Sequence, residues 1–272
     1  MNPMLVVLAV AAAVSALCWI ASLVTKDTSW VDRIWSIVPV VYVWIFAAGA
    51  GFADARLLVM AVLVTLWGAR LTFNFARKGG YTGVEDYRWA VLRARMSPGR
   101  FQLFNLFFIV LYQNALLVLI TLPALTALEH PAPFGPLDAI LTVLFLGALA
   151  GETIADQQQW DFHARKRAEI EAGREPSARF VQTGLWRVSR HPNFFFEQAQ
   201  WWLVFLFGAV AAGSVLIWTV AGAGLLTVLF VGSTVFTESI TRSKYPEYTD
   251  YQARVSPVVP WFPKRSVAVA EG

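Results

Sequence analysis

The 272-residue chain holds one cysteine, Cys18, and three histidines. A lone cysteine excludes an intrachain disulfide and any metal site built on thiolates, and no other metal motif is present. Charge is scarce: Asp, Glu, Lys and Arg make up 15% of residues, against roughly 25% in a soluble domain. The chain lacks a GxGxxG after a strand-like run, a P-loop, an HExxH and a GxSxG. With no βαβ alternation either, a soluble Rossmann site is excluded, and any nucleotide must bind among helices and their loops. No soluble domain, long linker, repeat or low-complexity segment interrupts the chain. The first segment has no basic n-region and no clear cleavage site, so it reads as a retained span rather than a signal peptide.

What the chain has in abundance is hydrocarbon. Hydrophobic residues reach 57% and mean hydropathy is +0.54, which marks an integral membrane protein. The net charge of +4 does not imply nucleic acid, because the basic residues lie between apolar runs rather than on one soluble face. A span needs about 20 apolar residues. Seven fit, at roughly 3–24, 35–52, 56–76, 101–125, 136–157, 193–211 and 213–235, the last two joined by a tight Ala-Gly turn. Of the 22 Lys and Arg residues, 20 fall in the first, third and fifth loops and the C-terminal segment. Arg56 alone lies opposite, and Arg70 lies within a span. This bias predicts an N-terminus outside and a C-terminus in the cytoplasm. The expectation is an all-α, polytopic, seven-helix protein of a bacterial inner membrane. Residues 1–262 form a single domain, and 263–272 form a loose tail.

Polar residues inside these spans are the candidates for function, since each is expensive in hydrocarbon. The densest stretch is GLWRVSRHPNFFFEQAQWW, Gly184 to Trp202. Pro192 suits a first helical position. Asn193 and Glu197 then lie one above the other on one helix face, next to Arg187, Arg190 and His191. A helix mouth flanked by arginines suits an anionic group such as a phosphate. The positive-inside rule places arginines there anyway, and His191 could merely cap the helix, so spacing alone leaves site and scaffold open. Glu152 and Asp156 share a face of the fifth span, where two carboxylates can hold ribose hydroxyls or pair with arginines. Arg70, Asn74 and Arg77 form a stripe on the third span, and Asn105, Gln113 and Asn114 lie in the fourth. Asp32 sits beside Trp30 and Trp35, where an acid can have a raised pKa and act as a proton donor, although a plain helix N-terminal charge among interfacial aromatics accounts for it at least as well. The loop KGGYTGVEDYRW can close over a site from the cytoplasmic side. Near the C-terminus, Tyr245, Tyr248 and Tyr251 recur as in an interfacial helix, and Glu238 and Arg242 have the spacing of an i,i+4 pair.

Together with ETIADQQQWDF before it and KYPEYTDYQARVSPVVPWFP after it, the Gly184–Trp202 stretch resembles the C-terminal domain of the steroid 5α-reductase family, and most of all its bacterial branch. The resemblance covers roughly Trp30 to Pro263. It implies a reductase that passes hydride from NADPH to a carbon–carbon double bond of a lipid enone, with the lipid entering through the early helices. It places cofactor contacts on Glu152, Asp156, Asn193 and Glu197, and phosphate contacts on Arg187, Arg190 and His191. That family uses an early glutamate and tyrosine on the substrate carbonyl. The nearest residues here are Asp32 and Trp67, and these are the expected catalytic pair. The RHP-plus-carboxylate ending is also similar to that of isoprenylcysteine methyltransferases, so an S-adenosylmethionine-dependent methyltransferase of a lipid or prenyl-cysteine is the alternative. A non-catalytic lipid-binding scaffold is a third reading.

Overall fold

Hydrocarbon offers no partner for backbone N–H and C=O groups, so apolar runs of this length fold as helices. The computed structural model describes residues 1–264 and has no strand among them. In chain order come α1 (Pro3–Thr25), α2 (Trp30–Ile34), α3 (Val38–Gly49) and α4 (Ala55–Arg77). Next are α5 (Tyr87–Arg95), α6 (Pro98–Phe104), a π-helical stretch (Asn105–Tyr112) and α7 (Gln113–Glu129). Then follow α8 (Pro136–Glu171), a 3₁₀ turn (Gly184–Arg187), α9 (Pro192–Ala212), α10 (Val220–Lys244) and α11 (Tyr248–Arg254). Among the described residues, six helices are long and apolar enough to cross a membrane: α1, α4, the continuous run from α6 through α7, α8, α9 and α10.

The expected spans shift at three places, each for a local reason. The second, 35–52, is interrupted. Pro39 cannot donate a backbone hydrogen bond, so α2 stops at Ile34 and only the 12-residue α3 follows. That helix is about 18 Å long, short of the roughly 30 Å hydrocarbon core. The last span starts at Val220 rather than 213, because Gly213 takes a left-handed φ of 65° and ends α9. Residues 213–219 form a loop where a tight Ala-Gly turn was expected. The fifth span continues to Glu171 as a 36-residue helix. At about 54 Å it outruns the hydrocarbon core.

The chain divides into two compact units: Met1–Leu146 with Trp201–Leu226, and Gly147–Gln200 with the chain from Thr227 onward. The expected domain 1–262 spans both. Its expected tail, 263–272, lies from residue 265 onward outside the described residues.

In the first unit, α3 packs against α1, α4 and α7. The shared core includes Tyr42, Phe46, Met60, Trp67 and Leu117, all fully buried. Pro123 lies inside α7 and has no N–H to give the Leu119 carbonyl. Glycines close over this gap. A Cβ on Gly208 of α9 would sit 2.8 Å from the Pro123 carbonyl oxygen. One on Gly222 of α10 would sit 2.8 Å from Ile120 N and nearer still to the Leu119 carbonyl oxygen. Small residues permit this approach, as is common between helices in membranes.

The same unit buries a full ion pair. Arg56, at the start of α4, donates from Nε to Asp138 Oδ1 at 2.6 Å and from Nη2 to Asp138 Oδ2 at 2.9 Å. Asp138, at the start of α8, also accepts from Gly135 N–H at 2.8 Å. The pair is almost wholly enclosed, 2% and 1% exposed by side chain. Removing one partner leaves the other charge buried alone. Asp138→Ala is expected to lose about 3–5 kcal/mol of stability, read by denaturation in mixed micelles. The double change Arg56→Met, Asp138→Leu is expected to recover most of that loss.

Candidate functional site

The second unit holds all the cofactor-binding candidates. Helix α9 begins at Pro192, as its sequence predicts, and carries Asn193, Glu197 and Gln200 along one side. Opposite runs α8 with Glu152 and Asp156. The two helices meet closely at Gly151, where an added Cβ would fall 2.5 Å from the Phe196 ring. Beside that contact, Gln200 Nε2 donates to Glu152 Oε2 at 2.6 Å and to the Phe196 carbonyl at 3.1 Å. Glu152, Asp156 and Glu197 are each 5% exposed or less, and none of them lacks a partner. Two acceptors of this face remain over: Asn193 Oδ1 and Gln200 Oε1 are buried and take no hydrogen bond among the described residues. Buried acceptors of this kind carry a desolvation penalty until a donor reaches them. The face thus favours groups that donate hydrogen bonds, such as sugar hydroxyls, a carboxamide or an amine.

The loop leading into α9 is held from both sides. Gly184, at φ 64°, approaches Gln158 so closely that a Cβ would lie 2.5 Å from its amide carbon. Leu185 N–H donates to Gln158 Oε1 at 2.9 Å, and Trp186 Nε1 to the Ala155 carbonyl at 3.1 Å. On its other side, Arg190 N–H donates to Ser256 O at 2.8 Å and Trp261 N–H to Val188 O at 2.9 Å. Tyr251 Oη donates to the Trp186 carbonyl. Tyr248 and Tyr251 of α11 are buried against Phe180 and Val255. The periodic tyrosines therefore face protein, where an interfacial helix was expected.

At the centre of this second unit stands Glu238 of α10. It accepts from Arg190 Nε at 2.6 Å and Nη2 at 3.1 Å, and from Gln252 Nε2 at 2.7 Å. It also meets His191 Nε2 at 3.1 Å and Tyr248 Oη at 3.4 Å. Arg190 spends its remaining donor, Nη1, on the Gln252 and Val255 carbonyls. Two sequence expectations change here. Glu238 pairs with Arg190 and His191 rather than with Arg242. Arg190 is committed to Glu238 and the C-terminal segment and so offers no free donor to a phosphate, and His191 gives its Nε2 to Glu238. Of the three residues expected at a phosphate, Arg187 is the exposed one.

Both expected catalytic residues belong to the first unit, in separate surroundings. Asp32 Oδ2 accepts from Trp89 Nε1 at 2.8 Å. Burial pushes the Asp32 carboxyl above the usual carboxylate range, Asp86 adds to it, and Arg88 with the bonds from Trp89 and Ser29 only partly offsets the shift. The loop around it is zipped to the third loop. Thr28 donates from N and Oγ1 to Glu85 Oε1 at 2.9 and 2.8 Å, Asp86 N–H donates to Ser29 Oγ at 2.9 Å, and Arg33 Nε donates to Gly80 O at 3.0 Å. Burial opposes ionisation of Glu85, but Arg93 and Thr28 hold it below its ordinary value. The loop expected to close over a site thus closes over α2 and Asp32. Trp67 is fully buried in the core, edge-on to Trp201 with ring centres 4.8 Å apart.

Residues 18–255 match the model of the DUF1295 family, described as a protein of unknown function. The chain belongs to the DUF1295 family. It is similar to the uncharacterized protein C594.04c of the fission yeast Schizosaccharomyces pombe, at 40% identity over 95% of this chain and 80% of the yeast protein. No solved structure matches the chain. These matches correct the resemblance drawn from the RHPN stretch: the family shown is DUF1295, and the steroid 5α-reductase family is not among the matches. The relative is eukaryotic, so a bacterial branch and a bacterial inner membrane have no support.

The DUF1295 match runs from Cys18 to Val255 and takes in every candidate above. Gln200, one turn beyond Glu197 on the same face, joins the candidates only through its bond to Glu152. The helical spacing of Glu238 points to Arg242, because nothing local ties it to residues 190 and 191. Two outcomes follow. Glu238→Gln leaves the Arg190 charge buried without a carboxylate. It is expected to cost about 3–5 kcal/mol and to raise hydrogen exchange across 248–258. Asp32 is expected to titrate above the normal aspartate range by carbon-13 NMR. With its folded pKa raised, its contribution to stability is full below about pH 3.9 and is lost as pH rises through the folded value. Asp32→Asn removes that pH-dependent component.

Proposed function

We propose that this DUF1295 protein is a membrane-embedded oxidoreductase that uses NADPH to reduce a carbon–carbon double bond of a lipid enone, with an isoprenoid or steroid-like body. The observation that carries the reading is the acceptor face of α9: Asn193 Oδ1 and Gln200 Oε1 buried without donors, beside the buried carboxylates Glu152, Asp156 and Glu197. Ribose hydroxyls and a nicotinamide carboxamide are the kind of donors such a face accepts. The carboxylates Glu152 and Asp156 suit the sugars, and Arg187 suits the pyrophosphate. The cofactor, when bound, supplies hydride. Hydride reaching the β-carbon would leave negative charge on the enone oxygen, which a proton donor would then neutralise. Asp32, in the first unit, is the proposed donor on its own chemistry, since burial favours its protonated form. Trp67 serves as packing in this proposal. The proposal also keeps the orientation set by the basic loops, with the N-terminus outside, the C-terminus cytoplasmic and the whole segment 35–52, of which α3 is the helical part, making the seventh crossing.

A second reading has its own observation. Arg190 and His191 are spent on Glu238, which leaves fewer cations for a dinucleotide's phosphates. S-adenosylmethionine, with an ammonium, a sulfonium and a ribose, needs none, and acidic and acceptor groups suit it. Calorimetry on the purified protein separates the two. The reductase reading expects NADPH to bind, and Asn193→Ala or Glu197→Ala to weaken it at least about tenfold, the size of one buried hydrogen bond. Adenosylmethionine binding without NADPH binding makes the methyltransferase the function. Binding of neither ends both.

A further inference from the structure

In the first unit, the seam between α1 and the run from the π-helical stretch into α7 holds an apolar groove of about 870 Å³. That lies within the roughly 300–1,000 Å³ of small-molecule sites. One stripe of α1, from Met4 to Trp19, forms one wall, a length of about 22 Å at the helical rise. Among the described residues no charged side chain lines it, and only Ser15 and Asn114 are polar. Ser15 is already used, donating from Oγ to the Ala11 carbonyl at 2.8 Å.

Asn114 is different. The π-helical stretch ends two residues before it, and the change of register leaves the Val110 carbonyl serving two donors. Gln113 N–H points to it, and Asn114 Nδ2 donates to it at 2.8 Å. That second bond settles how the amide is turned, because the reverse setting would bring two carbonyl oxygens together. Asn114 Oδ1 is therefore an acceptor, and it is buried without a hydrogen-bond partner among the described residues. The residue itself is 1% exposed. Short π segments inside α-helices recur at functional sites, and here the segment leaves an unmatched side-chain acceptor on Asn114, a lining residue about midway along the groove.

We propose that this groove binds a neutral hydroxylated lipid whose apolar body lies along α1 and whose hydroxyl, near the middle of that body, donates to Asn114 Oδ1. The absence of lining charge selects a neutral ligand, and the open side-chain acceptor, one among the described lining residues, selects a single donor. The inference uses first-unit residues alone and stands or falls apart from any cofactor.

The test uses the full-length protein in maltoside micelles and a photoreactive, stearyl-length secondary alcohol with its hydroxyl at mid-chain. Cross-links are expected on peptides of α1 and of residues 106–122. Unlabelled alcohol is expected to compete about tenfold better than octadecane, the margin of one buried hydrogen bond. Asn114→Leu removes that margin, and Ala115→Phe, which fills the groove while keeping the Asn114 amide, lowers labelling. Thermal melts and gel filtration check that both variants fold. Equal competition by octadecane overturns the proposal, since the groove then holds any hydrocarbon. So does labelling confined to other helices, or a native mass spectrum showing the seam closed by a second copy of the chain. If Asn114→Leu does not fold, the wild-type comparison of alcohol with alkane decides.

Discussion

A carboxylate drawn into an apolar helix bundle must find its countercharges there, and Glu238 shows how much structure that requirement organises. Its oxygens meet Arg190, His191, Gln252 and Tyr248. Through Arg190 they also reach the backbone carbonyls of the C-terminal segment. The loop that introduces α9, the helix α11 and the strap ending at Trp261 are thereby held as one body. The mouth of α9 is firm because Glu238 is satisfied, and that firmness presents Asn193 in a defined place.

The same rule explains which arginines are structural. Arg56 looks from the sequence like the lone cation on an outward loop, yet it is enclosed with Asp138. Arg33 and Arg93, which look like positive-inside markers, pair within their own loops with Asp27 and Glu85, while Arg33 Nε reaches Gly80 O and Glu85 accepts from Thr28 across the two loops. Charge counting along the chain describes where cations lie relative to the apolar runs. It does not separate those facing water from those neutralised inside the fold, because their partners are 6 to 82 positions away in sequence.

The candidate face was legible to the extent that it is local. Pro192 at a helix start, the Asn193–Glu197 spacing and the Glu152–Asp156 spacing all follow from a 3.6-residue repeat. The commitment of His191 and Arg190 was not legible, since it depends on a glutamate 47 and 48 residues later. The interruption of the second span at Pro39 was visible as a proline, but its outcome of a five-residue helix and a 12-residue helix was not. The groove beside α1 was invisible altogether. An asparagine in a span signals an interhelical hydrogen bond as readily as a ligand contact, and only the π register shows which end of its amide is left over.

By itself, the sequence determined that this is a membrane-embedded, all-helical chain, where most of its helices run, and which polar side chains share a helical face. Those features come from composition and short-range periodicity, which need no knowledge of distant neighbours. Tertiary structure alone decided which charges are consumed in pairs, which amide oxygens lack donors and where a cavity lies. These depend on groups from different helices meeting in a medium without water, where a partner is obligatory and its position along the chain is immaterial.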